Sequence, residues 1–237
     1  MHSFHIPVMG LAYTIDSPIR VAQYGISSVI SIIDDEIIEK MNRLYHQRNN
    51  FSYTEISNKV EDYRAKRITA YLDMVHEVVH QKFITFKQEL SKSKEALQQF
   101  IDMLPNQSDI KKGLESFSEQ KENFTENVLK FLENHLSPGS IDVNVMTKVD
   151  KDNFVNGVQL PVIYNDAHVS LRGFANSKLS SSIVLSAGMN PRLYSYFESF
   201  PDFFPNEKGE LKKKIILRVS DFRSGMIQGN FFAKKGI

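Results

Sequence analysis

The sequence contains no cysteine, which excludes disulfide bonds, thiolate catalysis and cysteine-ligated zinc. It also has no excess of charge: 29 Lys and Arg residues stand against 28 Asp and Glu residues, so no overall field favours nucleic acid or an acidic lipid surface. No apolar run approaches the ~20 residues that span a bilayer, and no basic segment followed by an apolar one begins the chain. We therefore expect a cytoplasmic protein whose partners include neither nucleic acid nor a membrane.

The amino-terminal segment has the pattern of a strand–helix–strand unit. Residues 5–9 form a short apolar run, and residues 28–33 form a second one that is rich in β-branched side chains. Between these runs, Ser17 and Pro18 are typical of a helix start, and Gly25 is typical of a helix end. Because such a crossover joins parallel strands, the sequence predicts a parallel sheet.

A long helical segment follows the second strand. Ser52-Tyr53-Thr54-Glu55 fits a capping box, and apolar residues at helical spacing continue to about residue 90, which predicts one long helix. A second helix is predicted between about residues 108 and 136, and the two apolar stripes favour an antiparallel helical hairpin. The predicted organisation is residues 1–50 as the first β/α units, residues 51–137 as the inserted hairpin, and residues 138–237 as the continuation of the β/α pattern.

The β/α alternation resumes after the insertion. Apolar runs at residues 141–148, 181–185 and 214–219 predict three further strands, each followed by a helical pattern. Five strand–helix units predict a parallel α/β protein of the TIM-barrel type. Because a closed barrel has eight units and about 250 residues, we expect this chain to be an incomplete barrel. A complete five-stranded open sheet is the alternative.

The first unit resembles that of a known enzyme family. The segments PVMG, SPIRVAQYG and SSVISI are similar to the start of the FMN-binding β/α barrels, which include nitronate monooxygenases and glutamate synthase barrels. This resemblance implies an FMN-dependent oxidoreductase that acts on a small molecule, with Met9 and Gly10 beside the isoalloxazine ring. The glycine-rich phosphate loops that such barrels carry after their late strands are missing from this sequence.

Candidate site residues lie near the predicted carboxyl ends of the strands, where β/α barrels carry their chemistry. Lys148 would stabilise negative charge on a reduced flavin or an enolate-like substrate, and His168 would transfer a proton. Other readings stay open: Asp34, Asp35 and Asn190 as helix caps, Arg218 and Asp221 as an ion pair, and His168 as an ordinary hydrogen-bonded residue. The predicted cofactor-binding residues are Met9, Gly10, Asn144, Ser186 and Arg218, and no metal site is included in this reading.

Two other functional classes remain as alternatives. His76-Glu77-Val78-Val79-His80 fits H-E-x-x-H, in which two histidines one helical turn apart bind zinc and the glutamate activates water. This pattern favours a zinc metallopeptidase, although Phe83 and Phe86 occupy the positions of the glycine and the third histidine in the extended motif. The other alternative is a non-catalytic module in which the hairpin at residues 52–136 holds a homo-oligomer or a partner.

Overall fold

The computed structural model describes residues 15–32, 34–118, 122–145, 150, 152–186 and 188–237. The predicted strand at residues 5–9 lies outside the described residues, and so do the candidate site residues Met9, Gly10 and Lys148. No helix in the described ranges combines the length and the apolarity that crossing a bilayer requires.

A parallel four-stranded sheet, called the main sheet below, organises the fold. Its four strands are hydrogen-bonded side by side in the order in which they occur along the chain, and all three neighbouring pairs are parallel. The prediction of a parallel α/β protein is confirmed for these strands, and within the described residues the sheet does not close into a barrel. The strands are β1 (Ser28–Ile32), β2 (Ile141–Val145), β3 (Phe154–Val155), β4 (Val158–Gln159), β5 (Ser182–Leu185) and β6 (Lys214–Leu217), of which β3 and β4 form a separate antiparallel ribbon.

Helices account for most of the remaining described structure. Several begin at the caps that the sequence offers: the Asp34 carboxylate accepts from the amides of Glu36 and Ile37, and the Asn190 side-chain oxygen accepts from the Leu193 amide. The α-helices are α1 (Ser17–Val21), α2 (Asp35–Arg48), α3 (Tyr63–Lys92), α4 (Lys94–Met103), α5 (Asp109–Ser118), α6 (Phe124–His135), α7 (Asp166–Ala175), α8 (Pro191–Tyr196) and α9 (Phe222–Ala233).

The inserted segment differs from the predicted hairpin at its start. The capping-box prediction at Ser52 is wrong, because the long helix begins at Tyr63, after Asp62 in a left-handed conformation. The Glu39 carboxylate of α2 accepts hydrogen bonds from the Tyr53 hydroxyl at 2.6 Å and from the Ile56 amide at 3.0 Å. These contacts hold the segment with the capping-box pattern against α2, where it forms a loop.

Four helices occupy the segment for which the sequence predicted two. The long helix stops at Lys92 because Ser93 is extended and its hydroxyl accepts from the Ala96 amide, which starts α4. A second break precedes α6, where Asn123 has a left-handed backbone conformation. The insertion is therefore a small helical cluster, formed by the end of α3 together with α4, α5 and α6.

The long helix α3 takes part in two hydrophobic cores. Its first half, which includes Ile68, Leu72 and Val75, packs with the main sheet and with α2 and α7 in the first core. Its second half contributes Phe83, Phe86 and Leu90 to the second core, which the helices α4, α5 and α6 complete. One continuous helix thus connects the α/β layer to the helical cluster.

The two faces of the main sheet are covered unequally. One face belongs to the first core and is buried. The opposite face, called the open face below, carries the row Ser31, Asn144, Val184 and Ile216, which are paired in register across the four strands. Along this row the exposed fraction rises from 2% at Ser31 to 43% at Ile216. The side chains on the buried face are Ile30, Ile32, Val143, Val145, Ile183 and Leu185.

Candidate functional site

A polar cleft of about 540 Å³ lies at the carboxyl end of the main sheet. Asp150, Asp152 and Asn165 line one side and follow β2 in the chain, and residues 188–192 line the other side and follow β5. Ligands of parallel α/β proteins bind outside the carboxyl ends of the strands. This polar cleft is therefore the leading candidate site among the described residues.

The Asp150 carboxylate is held in place by three different donors. It accepts from the Ala167 amide at 3.1 Å, from the Asn190 side-chain amide at 3.1 Å and from Nδ1 of His168 at 3.0 Å. Burial raises the pKa of Asp150, but the hydrogen bonds from His168 and Asn190 outweigh burial and hold its pKa below the ordinary value. The polar cleft thus presents a fixed, ionised carboxylate at neutral pH.

His168 contacts Asp150 but does not itself line the polar cleft. Its side chain is 2% exposed and is not among the residues that line the polar cleft. The ring lies against Tyr196, with the ring centroids 5.3 Å apart, and the Tyr196 hydroxyl accepts from Arg172 at 3.0 Å. In this position His168 orients Asp150, and its predicted role in proton transfer stays a prediction.

Asn165 provides an unused acceptor beside these carboxylates. It is 2% exposed, and its side-chain nitrogen donates to Asp152 at 2.8 Å. Because a carboxylate can only accept, this bond fixes which end of the amide is the nitrogen, and it directs Oδ1 away from Asp152. Oδ1 has no hydrogen-bond partner among the described residues. A buried acceptor left unpaired costs about 1–3 kcal/mol, so a ligand that donates a hydrogen bond there would be favoured.

An ion-pair cluster joins the polar-cleft loops to the start of α3. Arg64 donates to Asp35 at 2.9 Å and to Asp166 at 2.8 Å, and Arg67 donates to the second oxygen of Asp35 at 2.9 Å. Asn153 also donates to Asp166, at 3.2 Å. Asp35 lies in the first turn of α2 and accepts from two arginines of α3, which holds the start of α2 against α3.

The predicted cofactor-binding residues that the structure describes lie outside this polar cleft. Asn144 sits in the open-face row, where its amide donates to the Ser31 hydroxyl at 3.4 Å. Ser186 follows β5 directly, and Arg218 follows β6 with an exposed side chain. Asn144, Ser186 and Arg218 share the carboxyl end of the main sheet, and among the candidate residues named from the sequence that the structure describes only Asn190 lines the polar cleft itself.

Sequence reasoning missed three of the polar-cleft residues. Asp150, Asp152 and Asn165 were not singled out as site residues, although two acidic residues stand in the loop directly after a predicted strand. That pattern would have been a usable signal, since βα loops open onto the functional edge of a parallel sheet. Asn165 carried no comparable signal, because its position depends on the fold of the β3–β4 ribbon and the loop after it.

The H-E-x-x-H motif lies at the other end of the main sheet. His76 and His80 share a face of α3, whereas Glu77 is exposed and accepts from the Gln81 side chain at 3.0 Å. Within the described ranges, no group of three His, Asp or Glu side chains is arranged to hold a metal ion. The described part of the chain thus offers no third ligand for a zinc-peptidase centre.

Comparison of the chain with protein-family models, with curated proteins and with solved structures gave no match.

Proposed function

We propose that this protein is a β/α-barrel enzyme of the flavin-dependent oxidoreductase type that acts on a small polar molecule in the cytoplasm. The observation that carries the proposal is the strand order of the main sheet. Each described strand of the main sheet pairs with the next parallel strand along the chain, and the described strands do not show the reversal of order that a doubly wound sheet has at its switch point. A wall of consecutive parallel strands with one buried face is what part of a barrel provides, and its open face would then be the barrel interior.

The open face offers a suitable surface for a flavin ring. Asn144, Val184 and Ile216 form a row one residue before the carboxyl ends of their strands. Two aliphatic side chains and one amide in a row suit a planar aromatic ring with polar edges. A bound flavin would supply hydride transfer, and Asn144, Ser186 and Arg218 would bind it together with Met9, Gly10 and Lys148.

The polar cleft suits the substrate. Its two carboxylates and Oδ1 of Asn165, which has no partner among the described residues, are all acceptors, so they favour a molecule that presents hydroxyl or ammonium groups. Asp150 would bind such a donor directly because it is ionised and held in a fixed orientation. Asn190 and His168 would act through Asp150 by keeping its carboxylate in place.

Flavin binding by the purified chain tests this proposal. FMN is titrated into the flavin-stripped protein, and its fluorescence is followed in the wild type, in Asn144→Ala and in Asn134→Ala, an exposed control on α6. We expect saturable binding by the wild type, binding weakened at least about tenfold in Asn144→Ala through loss of a hydrogen bond and ring contact, and no change in Asn134→Ala. Absence of FMN binding by the wild type, or equal affinity in both variants, would overturn the flavin assignment.

A further inference from the structure

Two imidazoles face each other on α3, at the amino-terminal end of the main sheet. The ring centroids of His76 and His80 are 4.1 Å apart, and the planes are tilted by 46°. Both residues line a cavity of about 520 Å³, together with Ser27, residues 137–141 and residues 179–181. This cavity lies at the starts of β1, β2 and β5 and is separate from the polar cleft at their ends.

The hydrogen bonding of His80 leaves one of its nitrogens available. Its Nδ1 lies 3.1 Å from the backbone oxygen of His76. A carbonyl oxygen only accepts, so Nδ1 carries the proton and the lone pair of Nε2 is free. Histidines that bind metals commonly have this arrangement, in which the second ring nitrogen donates to a backbone carbonyl.

His76 lies one helical turn before His80 and is half-buried, whereas His80 is exposed. Both rings line the same cavity, so the two imidazoles can approach one ion from the same side of α3.

We propose that His76 and His80 form a binding site for a divalent transition-metal ion, with Cu²⁺ bound more tightly than Zn²⁺. Histidines four residues apart on a helix lie on one face one turn apart, which allows both to coordinate the same ion. Two protein ligands leave the remaining coordination positions to water or to an anion in the cavity. Glu77 is exposed and bonded to Gln81, so the site binds metal without the water-activating glutamate of a peptidase.

Metal titration of the full chain tests the site directly. The terminal histidines are first removed as His2→Ala and His5→Ala, so that they do not contribute to binding. Cu²⁺ and Zn²⁺ are then titrated by calorimetry, and electron paramagnetic resonance of the Cu²⁺ form reports the number of coordinated nitrogens. We expect one ion per chain, two imidazole nitrogens on Cu²⁺ and a weaker affinity for Zn²⁺, in line with the order of divalent affinities.

Single substitutions separate this pair from other histidines. His76→Ala and His80→Ala should each weaken Cu²⁺ binding by at least about tenfold, since loss of a second-shell partner alone costs about 10–100-fold. His135→Ala is the matched control, because Nδ1 of His135 also lies near a backbone oxygen, that of Phe131 at 2.9 Å, but its ring stacks on Phe131 instead of another imidazole. We expect His135→Ala and Glu77→Gln to bind Cu²⁺ as the parent does.

The outcome does not depend on the flavin proposal, because metal binding is measured without flavin or substrate. His80 is exposed, so His80→Ala should fold, which its circular dichroism and melting temperature would verify. Unchanged Cu²⁺ affinity in a folded His80→Ala protein, or an equal loss in His135→Ala, would overturn the proposed site.

Discussion

Asp150 illustrates how one side chain at the polar cleft ties local charge to the stability of the fold. Hydrogen bonds from His168 and Asn190 hold its pKa below the value of about 3.9 expected in an unfolded chain. A carboxyl group with a depressed folded-state pKa stabilises the native state above its unfolded pKa, and this stabilisation is lost as pH falls through the folded pKa. The contribution of Asp150 should therefore be complete at neutral pH and decline below about pH 4.

Replacement of Asp150 by asparagine should reveal how much its ionised carboxylate contributes to the free energy of unfolding. We expect Asp150→Asn to lower the free energy of unfolding by about 1–3 kcal/mol at pH 7, because charged hydrogen bonds are lost. The difference in free energy of unfolding between the variant and the wild type should become smaller below about pH 4. Urea unfolding at several pH values measures both effects. Asp109→Asn, at an exposed position, is the control and should change stability little. A difference in free energy of unfolding between Asp150→Asn and the wild type that stays constant from neutral to acidic pH would contradict this account.

Residues whose roles are local could be predicted from the sequence, and those whose partners are distant could not. Asp34 and Asn190 are helix caps, as one reading of the sequence held, because each bonds an amide two or three positions ahead. The role of Asp150 depends on His168 and Asn190, which lie 18 and 40 positions further along the chain. No local pattern carries that information, so the sequence pointed to His168 and left out its partner.

The helices α3 and α7 pack closely at Gly173. A Cβ atom at this position would lie 2.5 Å from Cγ2 and 2.6 Å from Cβ of Ile68. We expect Gly173→Ala to destabilise the protein by about 1–3 kcal/mol through overpacking. Gly229→Ala in α9 is the matched change, since no atom lies within 4 Å of its added Cβ, and it should stabilise by about 0.5–1 kcal/mol. Urea unfolding distinguishes the two; equal effects would mean that the helices separate freely at Gly173.

The positions of helices and strands could be predicted where the periodicity of apolar residues determines them, but not where individual caps or tertiary contacts do. Runs of β-branched residues located β1, β2, β5 and β6, and the apolar spacing located α3. The breaks at Ser93 and Asn123 come from a single cap and a single left-handed residue inside an otherwise helical pattern. The division of the chain at residues 51 and 137, and the use of the helical cluster as an interaction module, stay predictions.

At the scale of the whole molecule, one side of the α/β layer remains accessible to solvent. Ile216 on the open face is 43% exposed, and α9, which contacts β6, presents Phe222 at 82%, Met226 at 51% and Ile227 at 50%. Parallel sheets are normally covered on both faces, and exposed apolar side chains of this size favour association. The order of the strands determines which face is left open, and that order is a long-range property that composition and periodicity do not reveal.

The protein should therefore self-associate through the exposed apolar side chains of α9. We expect its mass in sedimentation equilibrium to rise with concentration, and Phe222→Ser to reduce this rise because it removes a large exposed apolar side chain. Phe154→Ser serves as the control, since Phe154 is 60% exposed on the separate β3–β4 ribbon. A monomer at every concentration, or equal effects of the two substitutions, would rule out this mode of association.

The 30-residue helix α3 is about 45 Å long and connects two ends of the molecule. Arg64 and Arg67 near its first turn grip Asp35 and Asp166 beside the polar cleft, while Phe83, Phe86 and Leu90 near its last turns are embedded in the helical cluster. A tilt of the helical cluster would therefore move the other end of α3, which carries the two arginines. A ligand or partner that tilts the outer helices would in this way displace the loops that shape the candidate site.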